Sequence, residues 1–225
     1  MTWRHLLFMH WRVEASALRN HIPRSLEIDL HDGSAWLGVV PFTMTGVRAR
    51  CAPPLPGVTR FHELNLRTYV WPKDEPNKPG VWFFSLDAAS RIAVRAARRG
   101  FGLPYMNARM SLTNADDGWI DYTSARTHRA EPPATLDVRY RAGEPVTPGR
   151  LERFLTERYC LYAVRRGRLI RGNIHHAPWA LRAAECEIRT LDMTRLIELD
   201  LPAEPPHLLC ADPITVVAWR AEPAG

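Results

Sequence analysis

Residues 61–72, FHELNLRTYVWP, alternate polar and apolar side chains over the length of a full strand. Successive side chains on a strand point to opposite faces. Glu63, Asn65, Arg67 and Tyr69 therefore share one face, and Leu64, Leu66, Thr68 and Val70 share the other. The apolar face is suited to packing under helices, which leaves the polar row for an interior or for solvent. On an open sheet the row would be a wet face with cross-strand ion pairs. In a curled or closed sheet it would line a cavity, where low dielectric raises a carboxylate's pKa and an arginine selects carboxylate or phosphate.

The rest of the chain repeats the strand signal at hairpin spacing. HLLFMHWRV reads as a strand, and EASALRNHIP as a short helical turn ending before Pro23. LEIDL and SAWLGVVPFTMTGVRAR flank HDG, a hairpin signal. The proline-rich CAPPLPGVTR precedes the opening segment, and VWFFSLDA follows it as a buried strand. ASRIAVRAARRG then changes period to a helix with Ile92 and Ala96 on one face, arginines on another, and Gly100 closing it. MNARMSLTN, WIDYTSARTHR and TLDVRYRA continue the strands. TPGRLERFLTERY predicts a helix with Thr147 as N-cap and Pro148 at its first helical position. CLYAVRRGRLIRGNIHH reads as a hairpin turning at RRG; LRAAECEIRTL, a short helix MTRLIEL and a last strand ITVVAWRA finish the chain. With no repeat and no dividing linker, the pattern predicts a single α+β domain over residues 1–225: an antiparallel sheet, curled or closed like a β-barrel, with a few helices.

Hydrophobic residues make up 46% and charged residues 24% of the chain, enough for a sizeable core. The net charge of +6 is carried by arginines spread through every segment, without the concentrated patch that nucleic-acid binding requires, so no nucleic-acid partner is expected. Lys73 and Lys78 are the two lysines, both in the turn-like PKDEPNKPG, which limits amine chemistry to those side chains. Four cysteines, at 51, 160, 186 and 210, lack C-x-x-C pairing and metal-ligand rhythm. They read as reduced thiols. With no signal peptide and no membrane-length apolar run, the expectation is a cytoplasmic protein without a membrane partner.

No Walker loop, G-x-G-x-x-G, H-E-x-x-H or G-x-S-x-G is present. His175 and His176 are adjacent, so on a strand they face opposite ways and do not share one ion; no metal site is expected.

The segments FMHWRV, GVVPFTM, FHELNLRTYV, FFSLDA, GLPYMNARM, FLTERYCLYA and IHHAPWAL, in that order, resemble the uncharacterised bacterial family DUF2071, whose members are YqjF-like. That family is grouped with the acetoacetate decarboxylase-like fold. The resemblance implies a curled antiparallel barrel around a small cavity, with the polar row facing it. It makes Glu63 the counterpart of a cavity glutamate in acetoacetate decarboxylases. Those enzymes carry G-F-P-K-K after a helix, with a Schiff-base lysine activated by its neighbour, an example of nucleophile activation by a nearby cation. Here the similar segment is GLPYM, and Tyr105 and Met106 stand at the lysine positions. A phenol or thioether forms no iminium, so Schiff-base decarboxylation is not expected.

The catalytic candidates are then Glu63 as proton carrier, Arg67 as anion clamp and Tyr105 as hydrogen-bond donor. Asn65, Tyr69, Met106, His10, Arg158, Tyr159 and His176 are candidate ligand-binding residues, and the expected partner is a small molecule, in particular an anionic one, with no cofactor. Three readings stay open: an enzyme acting by proton transfer on a carboxylate- or carbonyl-bearing metabolite, a non-catalytic ligand-binding protein, and a structural or oligomerisation role with Glu63 and Arg67 as a buried ion pair. Whether the chain forms a homo-oligomer also stays open.

Overall fold

The computed structural model describes residues 1–48 and 59–224. Cys51 and most of the proline-rich segment lie outside them. The first elements are β1 (Thr2–Arg4), β2 (Leu6–Val13), α1 (Ala15–Arg19), β3 (Leu26–Ile28), β4 (Ala35–Thr45) and β5 (Arg60–Pro72). Then come β6 (Gly80–Ala88), α2 (Arg91–Phe101), β7 (Tyr105–Asn114), β8 (Ile120–Arg126) and β9 (Thr135–Pro145). After α3 (Arg150–Thr156) follow β10 (Cys160–Arg165), β11 (Arg168–His175) and β12 (Leu181–Leu191). A 3-10 turn at Met193–Ile197 leads to β13 (His207–Ala211) and the short β14 (Ile214–Thr215), β15 (Val217–Ala218) and β16 (Glu222–Pro223).

Nine strands close a barrel in the order β4, β2, β13, β12, β9, β8, β7, β6, β5, with β5 returning to β4. Closure removes the free edges that an open sheet of this size would expose. The pairing is antiparallel except at β6, which runs parallel to β7 along Leu86–Ala88 and parallel to β10 at Val81–Trp82. The first of these is the βαβ crossover through α2, the connection that parallel neighbours require. At the second, Gly80 is needed for contact: a Cβ there would stand 2.5 Å from the Cys160 carbonyl oxygen.

Side-chain alternation separates two apolar clusters on the two sides of the barrel wall. One takes Leu7, Met9, Leu37, Val39, Leu64 and Leu66 from one side of the barrel and Tyr122, Leu136, Val138 and Tyr140 from the other. Because β8 and β9 bury only that face, it is the barrel interior. The second cluster takes Phe8, Val40, Phe42, Phe83 and Tyr69 from the outer face of β2, β4, β5 and β6, together with residues of α2, α3, β10 and β14. The apolar face of β5 thus fills the barrel instead of packing under helices. Its polar row looks outward, into the space between the barrel wall and a second layer.

Several local expectations shift for identifiable reasons. Ser90 caps α2 by accepting from the Ala93 amide, which sets the helix phase so that Ala93 and Val94 are buried and Ile92 is 60% exposed. The helix passes Gly100 and closes at Gly102, whose φ of 65° suits glycine. Gly149, with its amide donating to the Glu152 carboxylate, replaces Thr147 as the N-cap of α3 and leaves Pro148 outside. Asp32 and Gly33 turn the chain at HDG with positive φ, yet β3 pairs with β5 and not with β4. The expected last strand is broken into β14, beside β1, and β15, beside β11. The RRG hairpin forms with Arg166 and Gly167 at φ 52° and 75°.

Candidate functional site

A cavity of about 740 Å³ lies between the outer face of β4, β5 and β6 and the layer made by α2, the α3–β10 connection and β11. Its wall is mostly apolar, with Phe8, Phe42, Phe61, Phe83, Leu103 and Trp179 among the lining residues. Glu63, Asn65 and Arg67 enter it from β5, Tyr105 from β7, and Arg158 and His176 from the second layer. Arg48 and Arg220 also line it and are exposed, giving its open side a basic rim.

Glu63 is 2% exposed, and Tyr105 Oη donates to its Oε2 at 2.9 Å. Burial raises the Glu63 carboxyl to about 8, against which the Tyr105 hydrogen bond acts only in part. Glu63 is therefore largely protonated at neutral pH. The same burial, with the neighbouring Glu63, pushes Tyr105 well above the usual phenol range, so it stays a donor. Tyr105 is held from behind by Arg98, which donates to its carbonyl oxygen at 2.7 Å.

Arg67 occupies the other end of the row. Its Nη2 donates to the Leu155 carbonyl at 3.2 Å and to Tyr69 Oη at 3.4 Å, and its guanidinium lies 5.5 Å from the Phe8 ring centroid. Arg67 Nε is buried and has no partner among the described residues. No Glu63–Arg67 ion pair forms, nor any other carboxylate pair to Arg67, among the described residues. The two lie four positions apart on one strand, about 13 Å of rise, too far for contact. The structural reading that rested on that pair is corrected accordingly.

Tyr69 and His10 stand behind Arg67 and do not line the cavity. Tyr69 Oη donates to the Leu155 carbonyl at 2.8 Å and lies 2.6 Å from His10 Nε2. With its proton committed to Leu155, Tyr69 accepts from His10, which places the histidine proton on Nε2. Burial, then the Arg67 and His207 charges, hold His10 well below the usual histidine range, so it is neutral. His10, Gly38 and Arg67 are register partners across β2, β4 and β5. A Cβ at Gly38 would stand 3.0 Å from the His10 ring and 3.3 Å from Arg67 Cγ, so glycine makes room for both.

Arg158 lines the cavity but is already engaged. It donates to Asp29 at 2.5 Å and to the Phe154 carbonyl at 2.6 Å, and covers the Tyr69 and Phe154 rings. His176 is buried with Nδ1 2.7 Å from the Ala177 carbonyl and its ring against Tyr159 and Trp179, while His175 is exposed on the strand's other side. Tyr159 bonds to Glu157 outside the cavity. Met106 follows Tyr105 on β7, so it points to the opposite side of the wall and away from the cavity.

Sequence reading misses Trp3, Thr156, Cys160, Asn173 and Trp179 as lining residues. They come from distant segments and carry no shared motif. Burial raises the Cys160 thiol, so it is not poised as a thiolate. Also unforeseen is the Asp87–Arg126 pair on the interior face of the barrel, with Arg126 Nε 3.1 Å from both carboxylate oxygens. Both side chains are at most 1% exposed, and burial outweighs the arginine to leave Asp87 at about 6. Among the described residues no group of three or more His, Cys, Asp or Glu is arranged to hold a metal ion. No helix there is long and apolar enough to cross a membrane.

A family model, DUF2071, described as an uncharacterized conserved protein, matches residues 1–215. The uncharacterized protein YqjF of Bacillus subtilis strain 168 is 43% identical over 221 residues, which covers 97% of this chain and 89% of the relative. The chain belongs to the DUF2071 family. Two solved structures share the fold of this DUF2071 chain at low identity. The enduracididine biosynthesis enzyme MppR complexed with pyruvate superposes with a TM-score of 0.66 at 12% identity, covering 99% of this chain and 88% of that one. Acetoacetate decarboxylase from Legionella pneumophila superposes with a TM-score of 0.61 at 11% identity, covering 100% and 88%. This DUF2071 chain therefore has the acetoacetate decarboxylase-like fold.

In this DUF2071 chain neither lysine lines the cavity. Lys73 is exposed and pairs with Glu27 at 2.9 Å, and Lys78 is exposed in the β5–β6 turn.

Proposed function

We propose that this chain is a small-molecule enzyme that moves a proton on a carboxylate- or carbonyl-bearing metabolite without forming a Schiff base. The observation that carries this reading is the Glu63–Tyr105 hydrogen bond on an apolar cavity wall, with the carboxyl at about 8. A carboxyl that is neutral at pH 7 and titrates just above it exchanges a proton near the working pH, the condition for efficient acid–base catalysis. Tyr105 occupies one oxygen of Glu63, leaving the other to face a ligand carbonyl. Arg67, without a carboxylate partner, supplies the charge that selects an acid.

Structural neighbours are consistent with a site for oxo acids: MppR was solved with pyruvate, and the Legionella protein is an acetoacetate decarboxylase. With no lysine on the cavity wall, the covalent amine route has no side chain to start from. Borohydride reduction in the presence of a β-keto acid is expected to leave no adduct, and an adduct on Lys73 or Lys78 would sink the non-covalent reading.

The mostly apolar lining favours a second reading, ligand binding without turnover. A thermal-shift screen of oxo acids followed by turnover assays of each hit separates the two. Hydrogen exchange or conversion that Glu63→Gln abolishes, with binding retained, supports the enzyme. Binding with no turnover of any hit supports the binder, and turnover surviving Glu63→Gln removes the proposed role of Glu63.

A further inference from the structure

The two chemical poles of the cavity are too far apart to serve one short metabolite. Glu63 and Arg67 lie four residues apart on a single strand face, which sets their Cα atoms about 13 Å apart. Their side chains do not converge. Glu63 meets Tyr105 on β7, whereas Arg67 extends past Tyr69 to the Leu155 carbonyl at the end of α3. Between them the floor is formed by Val40, Asn65 and Leu86, which are paired in register, with Phe8, Phe42 and Phe83 close by in the same apolar cluster. A three- or four-carbon oxo acid, built from bonds of about 1.5 Å, spans less than half of that distance. It would also leave most of the 740 Å³ empty, in a cavity whose size is that of a drug-like ligand.

We infer that the ligand is an elongated organic acid with an apolar body. Its carboxylate docks on Arg67, an aryl or medium-length alkyl segment lies along Phe8, Phe42 and Phe83, and a carbonyl or hydroxyl at the far end meets Glu63 and Tyr105. Arg67 lines the cavity and bonds only to the Tyr69 hydroxyl and the Leu155 carbonyl, with no carboxylate partner among the described residues, so its charge is available for the ligand's carboxylate. Asn65, 5% exposed and also on the wall, has a buried Oδ1 without a partner there. Asn65 sits midway between the poles on the same wall. The exposed Arg48 and Arg220 give the open side a charge suited to drawing in an anion. This assignment rests on the cavity being the functional site proposed above and narrows the substrate class within it.

The test is a ladder of methyl-ketone (ω−1)-oxo acids from pyruvate and 4-oxopentanoate to 7-oxooctanoate and 9-oxodecanoate, each with its methyl ester, measured by calorimetry. Affinity is expected to rise at least tenfold from the short to the long acids, with each long acid binding at least tenfold better than its ester. Arg67→Met is expected to erase the acid–ester difference while leaving ester affinity within a factor of about 2 to 3. The wild-type acid–ester comparison decides the matter even if that variant folds poorly. Short acids binding as well as long ones, or long acids no better than their esters, would overturn the elongated-acid assignment. If short oxo acids still bind and respond to Glu63→Gln, the general proposal survives that result. If no oxo acid of any length binds, both proposals fail.

Discussion

Tyr105 donates to Glu63 across the seam between two strands that are not neighbours, at 2.9 Å and with both side chains buried. The bond joins β5 to β7 over β6, so it couples the proton-bearing residue to the strand that follows the helical crossover. It also holds Glu63 in place without giving it a cation, so the effect of burial on its carboxyl is offset only in part.

Glu63 makes stability fall as pH rises. In the unfolded chain it ionises near 4.5, and in the folded protein at about 8. Between those values only the folded state holds the proton, so stability declines by roughly 1.4 kcal/mol per pH unit. The loss is absent below the lower value and complete above the upper one. Glu63→Gln accepts the same Tyr105 hydrogen bond without titrating. It is expected to be more stable than wild type at pH 8 and to show a shallower decline between pH 5 and 8 in urea titrations. Equal slopes in the two proteins would refute the raised value. Asp87 adds a decline of the same sign from 3.8 to about 6 and is present in both.

The interior ion pair gives a contrast in how charge is buried. Asp87→Asn leaves Arg126 as an uncompensated cation inside the barrel and is expected to cost about 3 to 5 kcal/mol. Removing both charges with Asp87→Leu and Arg126→Met is expected to cost less than either single change. Denaturant midpoints of Asp87→Leu alone, Arg126→Met alone and the double form the cycle, and additive losses would show that the pair does not act as a unit.

The alternation of residues 61–72 is legible because a period of two is a local property of the chain. Which side of the strand becomes the inside is not local, since it depends on β8 and β9 closing the barrel onto Leu64 and Leu66. The apolar face therefore went inward and the polar row outward, against the expectation of helices over Leu64 and Leu66. Tyr105 and Met106 show the same rule at smaller scale: as neighbours on a strand only one of them reaches the cavity. Asp87 and Arg126 carry no sequence signal, because two single charges on separate strands become partners only through the register of β6, β7 and β8. The lining residues Trp3 and Trp179 likewise meet only through the fold, at 6.1 Å between ring centroids.

Gly38 is expected to tolerate no side chain. Gly38→Ala places a methyl group against His10 at 3.0 Å and Arg67 at 3.3 Å, inside a packed layer. Overpacking of this kind costs about 1 to 3 kcal/mol. Thermal melting should register the loss, and displacement of Arg67 should weaken binding of acids more than of their esters. A melting temperature equal to wild type would mean that His10 and Arg67 yield freely.

Tyr69 holds Arg67 without touching the cavity, so its hydroxyl is expected to matter for recognition at a distance. Tyr69→Phe removes the donor to Leu155, the acceptor for His10 Nε2 and one of the two acceptors of Arg67 Nη2. Leaving buried polar groups without partners costs about 1 to 3 kcal/mol of stability. A general loss of stability would lower the affinity of acid and ester alike. A positioning role predicts instead that acid affinity falls several-fold while ester affinity holds, because only the carboxylate depends on where the guanidinium points. Calorimetry on the purified variant with one acid–ester pair distinguishes these outcomes, and equal losses would assign Tyr69 to packing alone.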